Sequence, residues 1–97
     1  MLVAGTYIPT DTSEAGQTRA LQLFTSWTPP EGFEFQSHYS RLTGGGLFVA
    51  ETESVASAMA AIAPFTPYFD FDVTPVVPIE EGVEIGASTI AFWASIE

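Results

Sequence analysis

Two short stretches of this chain are apolar on both sides and two others alternate, and that contrast limits the possible folds more than any other feature. Leu2 to Ile8 is short, apolar and stopped by Pro9, and Leu47 to Glu51 is apolar at successive positions until its final carboxylate. Both read as strands covered on two faces. Phe33 to Leu42 instead places Phe33, Phe35 and Tyr39 on one face and Glu34, Gln36, His38 and Ser40 on the other. Tyr68 to Val77 sets Phe69, Phe71 and Val73 opposite Tyr68, Asp70, Asp72 and Thr74. These two read as edge strands with one wet face.

Helical spacing fills the gaps between them. Asp11 is positioned to cap a first helix, with Glu14 three residues on, and Ala20, Leu21, Phe24 and Trp27 recur at helical intervals until "TPPEG" ends the pattern. Thr52 is the expected cap of a second helix, whose stripe of Val55, Met59 and Ile62 closes at Pro64. The resulting order is βαββαβ. Two central strands covered on both faces and two half-wet edges are what an α+β, ferredoxin-like antiparallel sheet ordered 4-1-3-2 requires. Residues 1–80 form this domain, and 81–97 form a C-terminal helical extension. In the extension Ile85, Thr89, Phe92, Trp93 and Ile96 keep helical spacing, although Gly82 and Gly86 weaken its start.

Right-handed crossovers put both helices on one side of the sheet, so the other side of its central strands lacks a cover. A partner's sheet is the economical one, which predicts a homodimer or a higher homo-oligomer.

Twelve acidic residues against two arginines and no lysine give a formal net charge of −10. Nucleic acid and anionic membrane surfaces are therefore not expected partners, because both need clustered Lys or Arg. The absence of cysteine removes disulfides, thiolate nucleophiles and cysteine-containing zinc sites. A single histidine cannot build a His-rich metal site, and no cofactor is called for. The N-terminal stretch has no charged start followed by an apolar run, so a soluble, cytoplasmic protein is expected.

The segment "QSHYSRLTGGGLFVAETES", residues 36–54, concentrates the chemistry. Its triple glycine joins two strands rather than opening a helix, and no lysine is available, so it reads as a tight hairpin and not as a phosphate loop. His38 is the candidate proton carrier, placed by alternation beside Glu34 and Gln36. Glu51, Asp70 and Asp72 are further carboxylates of interest, Arg41 is suited to a bidentate ligand contact, and Tyr7, Trp27, Tyr39 and Tyr68 are candidate walls of a cavity.

The spacing of "SWTPPEGFEFQSHYSR", "GGGLFVAETES" and "APFTPYFDFDVTPVV" resembles a family of small bacterial proteins of unknown function in the dimeric α+β barrel superfamily, over about residues 1 to 80. The likeness rests on Pro29, Pro30 and Gly32, on His38, on Gly44 to Gly46, on Glu51, and on Phe71, Val73, Pro75 and Val76. Relatives usually carry an aromatic just before the histidine, where this chain has Ser37. The resemblance brings no activity with it. Proteins similar in fold include cofactor-free monooxygenases of aromatic polyketides, lactone isomerases, haem-degrading enzymes and binding modules. Two expectations follow from residues and resemblance together. One is a small-molecule pocket protein acting on an aromatic or polyketide-like compound as a cofactor-independent monooxygenase, isomerase or cyclase, with His38 moving a proton. The other is a non-catalytic homo-oligomeric binding or assembly module. A haem site with His38 as axial ligand is a third and lesser one.

Overall fold

The computed structural model describes all residues, 1–97. Its elements are β1 (Leu2–Pro9), α1 (Glu14–Ser26), β2 (Phe33–Ser40), β3 (Gly46–Thr52), α2 (Val55–Ile62) with a short 3-10 turn at Ala63–Phe65, β4 (Phe69–Val76) and α3 (Ile79–Ser95). The four strands form one antiparallel sheet in the order β2-β3-β1-β4. This is the α+β, ferredoxin-like arrangement followed by a C-terminal helix.

Both helix starts differ from the sequence expectation by the same chemistry. Ser13, not Asp11, caps α1: its hydroxyl accepts from the Gly16 N–H at 3.1 Å. Asp11 instead accepts from the Ser13 N–H at 2.9 Å, closing the turn before the helix, and these bonds hold its carboxyl below the usual carboxylate range. Ser54 rather than Thr52 caps α2, accepting from the Ser57 N–H at 3.0 Å. Thr52 is 1% exposed and spends its hydroxyl on the Ser54 carbonyl. In each case a serine two residues nearer the helix takes the orphan N–H groups.

The core lies on the helix side of the sheet. Val3, Phe33, Phe48 and Ala50 from the strands meet Ala58 and Ala61 of α2, and the small side chains let α2 sit close. Tyr7, Trp27, Phe35 and Val73 pack at its margin. The opposite side of the sheet has no helix over it. There Leu2, Ala4, Val49 and Val76 are half-buried, Leu47 and Ile8 are exposed, and Asp70 and Asp72 stand on the outer strand.

One irregularity decides the site. Phe35 pairs with Ala50 and Ser37 with Val49, so Gln36 is an extra residue in β2. Such a bulge reverses the facing of every residue after it. His38 consequently stands opposite Phe48 on the helix side, not on the wet side with Glu34 and Gln36 as strict alternation implies. Tyr39, opposite Leu47, is carried to the open side and is 64% exposed.

α3 is longer than its sequence spacing suggests, beginning at Ile79 with Glu80 and Glu81 in its first turn and continuing through both glycines. It contains no buried residue. The radius of gyration is 17.5 Å, against about 12–13 Å for a compact chain of this length, and the longest extent is 61 Å, because α3 projects from the body.

Candidate functional site

α1 does not press onto the sheet beneath it. Between them lies a cavity of about 590 Å³, floored by Tyr7, Phe35, His38, Phe48 and Phe71 and roofed by Leu21, Phe24 and Trp27. Phe65, Tyr68 and Phe69 close one side, and the turn at Thr43 to Gly45 borders another. The volume is that of a small-molecule pocket. The walls are aromatic because the helix-facing positions of β1, β2, β3 and β4 and the inner stripe of α1 all carry rings.

Within this setting the Tyr7 hydroxyl and His38 Nε2 are hydrogen-bonded at 2.5 Å. β1 and β2 are not neighbours; β3 lies between them, and the two side chains meet across it. The His38 ring stacks on Phe35, with centroids 4.3 Å apart and an interplanar angle of 16°, and meets Phe48 edge-on at 6.2 Å and 82°. Phe69 packs edge-on against Tyr7 at 5.1 Å. Above them Trp27 holds Phe65 edge-on at 5.1 Å and stacks with Phe24.

Burial acts oppositely on the two groups' pKa values and similarly on their charge. Desolvation lowers the His38 pKa from its ordinary 6.5 and raises that of Tyr7 from 10.0, so both are held neutral near pH 7. A neutral imidazole bonded to a phenol can accept the phenol's proton or donate its own, according to tautomer. The pair therefore offers a ligand either a donor or an acceptor, and a route for moving one proton.

The lowered His38 pKa carries a pH dependence. The unfolded chain binds a proton at His38 more readily than the folded one, so stability is complete above about pH 6.5 and falls as pH drops from there to the depressed folded value. Urea midpoints measured between pH 7.5 and 5.5 should fall for the wild type and stay flatter for His38→Phe.

Of the residues singled out by sequence, Tyr7, Trp27, His38 and Tyr68 border the cavity, and Tyr39 meets only its rim, from a strand position that faces the open side. Arg41 does not: its Nη1 donates to the Gly44 carbonyl at 3.3 Å and braces the hairpin. Glu51 lies towards the far end of the sheet, beside Leu2, and its carboxylate accepts from the Met1 amine at 2.6 Å. Asp70 and Asp72 are exposed on the open side. Phe24, Phe35, Phe65, Phe69 and Phe71 complete the walls; the spacing of Phe24, Phe35, Phe69 and Phe71 marks their helix or strand faces without marking a cavity.

No three His, Cys, Asp or Glu side chains converge on a metal-sized site. Axial ligation of haem would call on the same Nε2 that Tyr7 engages. No helix is long and apolar enough to cross a membrane.

No curated protein and no solved structure matches the chain. Residues 1–90 match a family described as Domain of unknown function (DUF3303), which supports the family half of the resemblance and does not reach the wider dimeric α+β barrel superfamily. With that match spanning nearly the whole length, the chain belongs to the DUF3303 family.

Proposed function

We propose that this protein binds a small, planar, uncharged aromatic molecule between α1 and the sheet, and that it works as at least a homodimer. The observation that carries the ligand reading is the Tyr7–His38 pair set inside an aromatic cavity. Ring-lined walls favour a flat ligand, and the pair satisfies one polar group on it. No Lys or Arg lines the cavity, Asp11 stands at its edge, and the chain carries a net charge of −10, so anions are disfavoured.

A phenol or enol ligand fits the pair best. His38 takes the proton from the ligand, directly or through the Tyr7 hydroxyl, and returns it to another atom of the same molecule. That is an isomerisation or a cyclisation, and it needs no oxidant. A cofactor-independent monooxygenase reaction would draw on dioxygen as co-reactant. The second reading, a non-catalytic homo-oligomeric assembly module, draws support from the uncovered apolar strip of Leu2, Ala4, Val49 and Val76.

Isothermal titration with 1-naphthol and its anionic counterpart 1-naphthoate separates the readings. The pocket reading expects saturable binding of 1-naphthol, at least tenfold weaker binding of 1-naphthoate, and a loss of about 2- to 10-fold in Tyr7→Phe from one missing hydrogen bond. Absence of 1-naphthol binding, or binding unchanged when Phe24 on the cavity roof is replaced by Asp, supports the assembly reading instead.

A further inference from the structure

α3 is a helix without a surface of its own. None of its residues is buried, and nothing lies within 4 Å of where a Cβ would stand at Gly82 or Gly86. Helical periodicity sorts its large side chains into two stripes: Ile79, Val83, Ile90 and Trp93, and beside it Ile85, Phe92 and Ile96. Each of these is more than half exposed. Glu80, Glu84 and Ser95 take the remaining arc.

Such a segment does not hold its shape alone. A helix of 17 residues is near the lower limit for independent stability even in alanine-rich sequences, and the two interior glycines cost about 1 kcal/mol each. It needs a cover, because seven large apolar side chains stand more than half exposed along it. A membrane is a poor candidate, since Glu80, Glu81, Glu84 and Glu97 stand in this segment with no Lys or Arg to meet anionic lipid. A basic partner would be drawn to the acidic arc and leave the stripes bare.

The same chain carries a second uncovered apolar surface, the open side of its sheet. Its own α3, none of whose residues is buried, does not cover that side, and Val77 and Pro78 alone join it to β4. We propose that α3 docks across the open sheet face of a second copy, over Ala4, Val49 and Val76, with the exchange made reciprocally about a two-fold axis. One isologous interface then covers both surfaces on both chains. Each sheet gains helices on its second side, and the acidic arc remains in water.

This inference rests on the homodimer part of the proposed function, and light scattering on full-length chains tells the two apart. Wild type is expected at twice 10.4 kDa at micromolar concentration. Ile90→Glu on α3 and Val49→Glu on the sheet should each weaken self-association at least tenfold and give the monomer mass, whereas Leu42→Glu, in a fully exposed hairpin position, should leave the dimer intact. Because Val49→Glu risks misfolding, a second measurement uses the absence of native cysteine. Mixed Val49→Cys and Ile90→Cys chains, oxidised together, should form the mixed disulfide in preference to either like pair. A wild-type mass of 10.4 kDa overturns the homodimer reading itself. A dimer that survives Ile90→Glu overturns the role of α3, and loss of the dimer in Ile90→Glu without a mixed disulfide overturns the sheet face as its dock.

Discussion

Replacing Phe48 with Ala is expected to remove about 3–5 kcal/mol of unfolding free energy, the range for deleting a buried aromatic ring. Phe48 is 3% exposed and packs edge-on against Phe33, Phe35 and His38. Its ring lies over the backbone at Gly5, where a Cβ would stand 2.5 Å from its terminal carbon. The core around it is small, with Val3, Phe33, Ala50, Ala58 and Ala61 as its buried companions. The companions nearest to it on the α2 side, Ala58 and Ala61, are too small to refill the space. For a domain whose total stability is about 5–15 kcal/mol, the loss is a large fraction. Urea unfolding with an unchanged slope and a lower midpoint would register it; a loss below about 1 kcal/mol would mean that the cavity floor collapses freely around the missing ring.

Gly45→Ala should be the second most damaging change, and it should strike the site as well as the fold. Gly45 has φ +74°, a left-handed conformation that costs an alanine about 1–2 kcal/mol. Worse, its Cβ would stand 1.9 Å from the carbonyl oxygen of Tyr7, a backbone atom of a central strand. The hairpin, tied by the Arg41 N–H to the Gly45 carbonyl at 3.0 Å, cannot retreat without breaking that bond. Strain and clash together are expected to cost about 2–4 kcal/mol, a fall in melting temperature on the order of 10–20 °C for a domain of this size. Because the displaced residue is Tyr7, binding of 1-naphthol should weaken by more than the stability loss alone explains. Leu42→Ala, in the same hairpin but fully exposed and outside the cavity, is the control.

The route from sequence to site was legible in part, and the line between what could and could not be read is physical. Strand order followed from alternation: a strand apolar on both sides must be central, and Val3 and Phe48 are indeed buried beneath α2 while Ala4 and Val49 face the open side. Tyr7 and Trp27 were recoverable as cavity rings, whereas Tyr68, which alternation puts with Asp70 and Asp72, reaches the cavity because it precedes β4 rather than standing in it. His38 was recoverable as a residue of interest but not as the partner of Tyr7. Its facing depends on the bulge at Gln36, and a bulge needs neither glycine nor proline to announce it. Arg41 and Glu51 went elsewhere because local partners, the Gly44 carbonyl and the Met1 amine, lie closer than any cavity. The start of α3 was obscured by Gly82 and Gly86, whose low propensity argues against the helix that the chain forms.

The central claim is that His38 is a desolvated imidazole held by Tyr7 inside a ligand cavity, and the single histidine of this chain makes that directly observable. Its imidazole gives one set of carbon-bound proton resonances, which can be followed by NMR as pH is varied, with and without 1-naphthol. The account predicts a midpoint below 6.5, a midpoint that moves in Tyr7→Phe, and a resonance that shifts saturably with 1-naphthol. An imidazole that titrates at 6.5 like a solvent-exposed one, indifferent to Tyr7→Phe and unmoved by 1-naphthol, would contradict it.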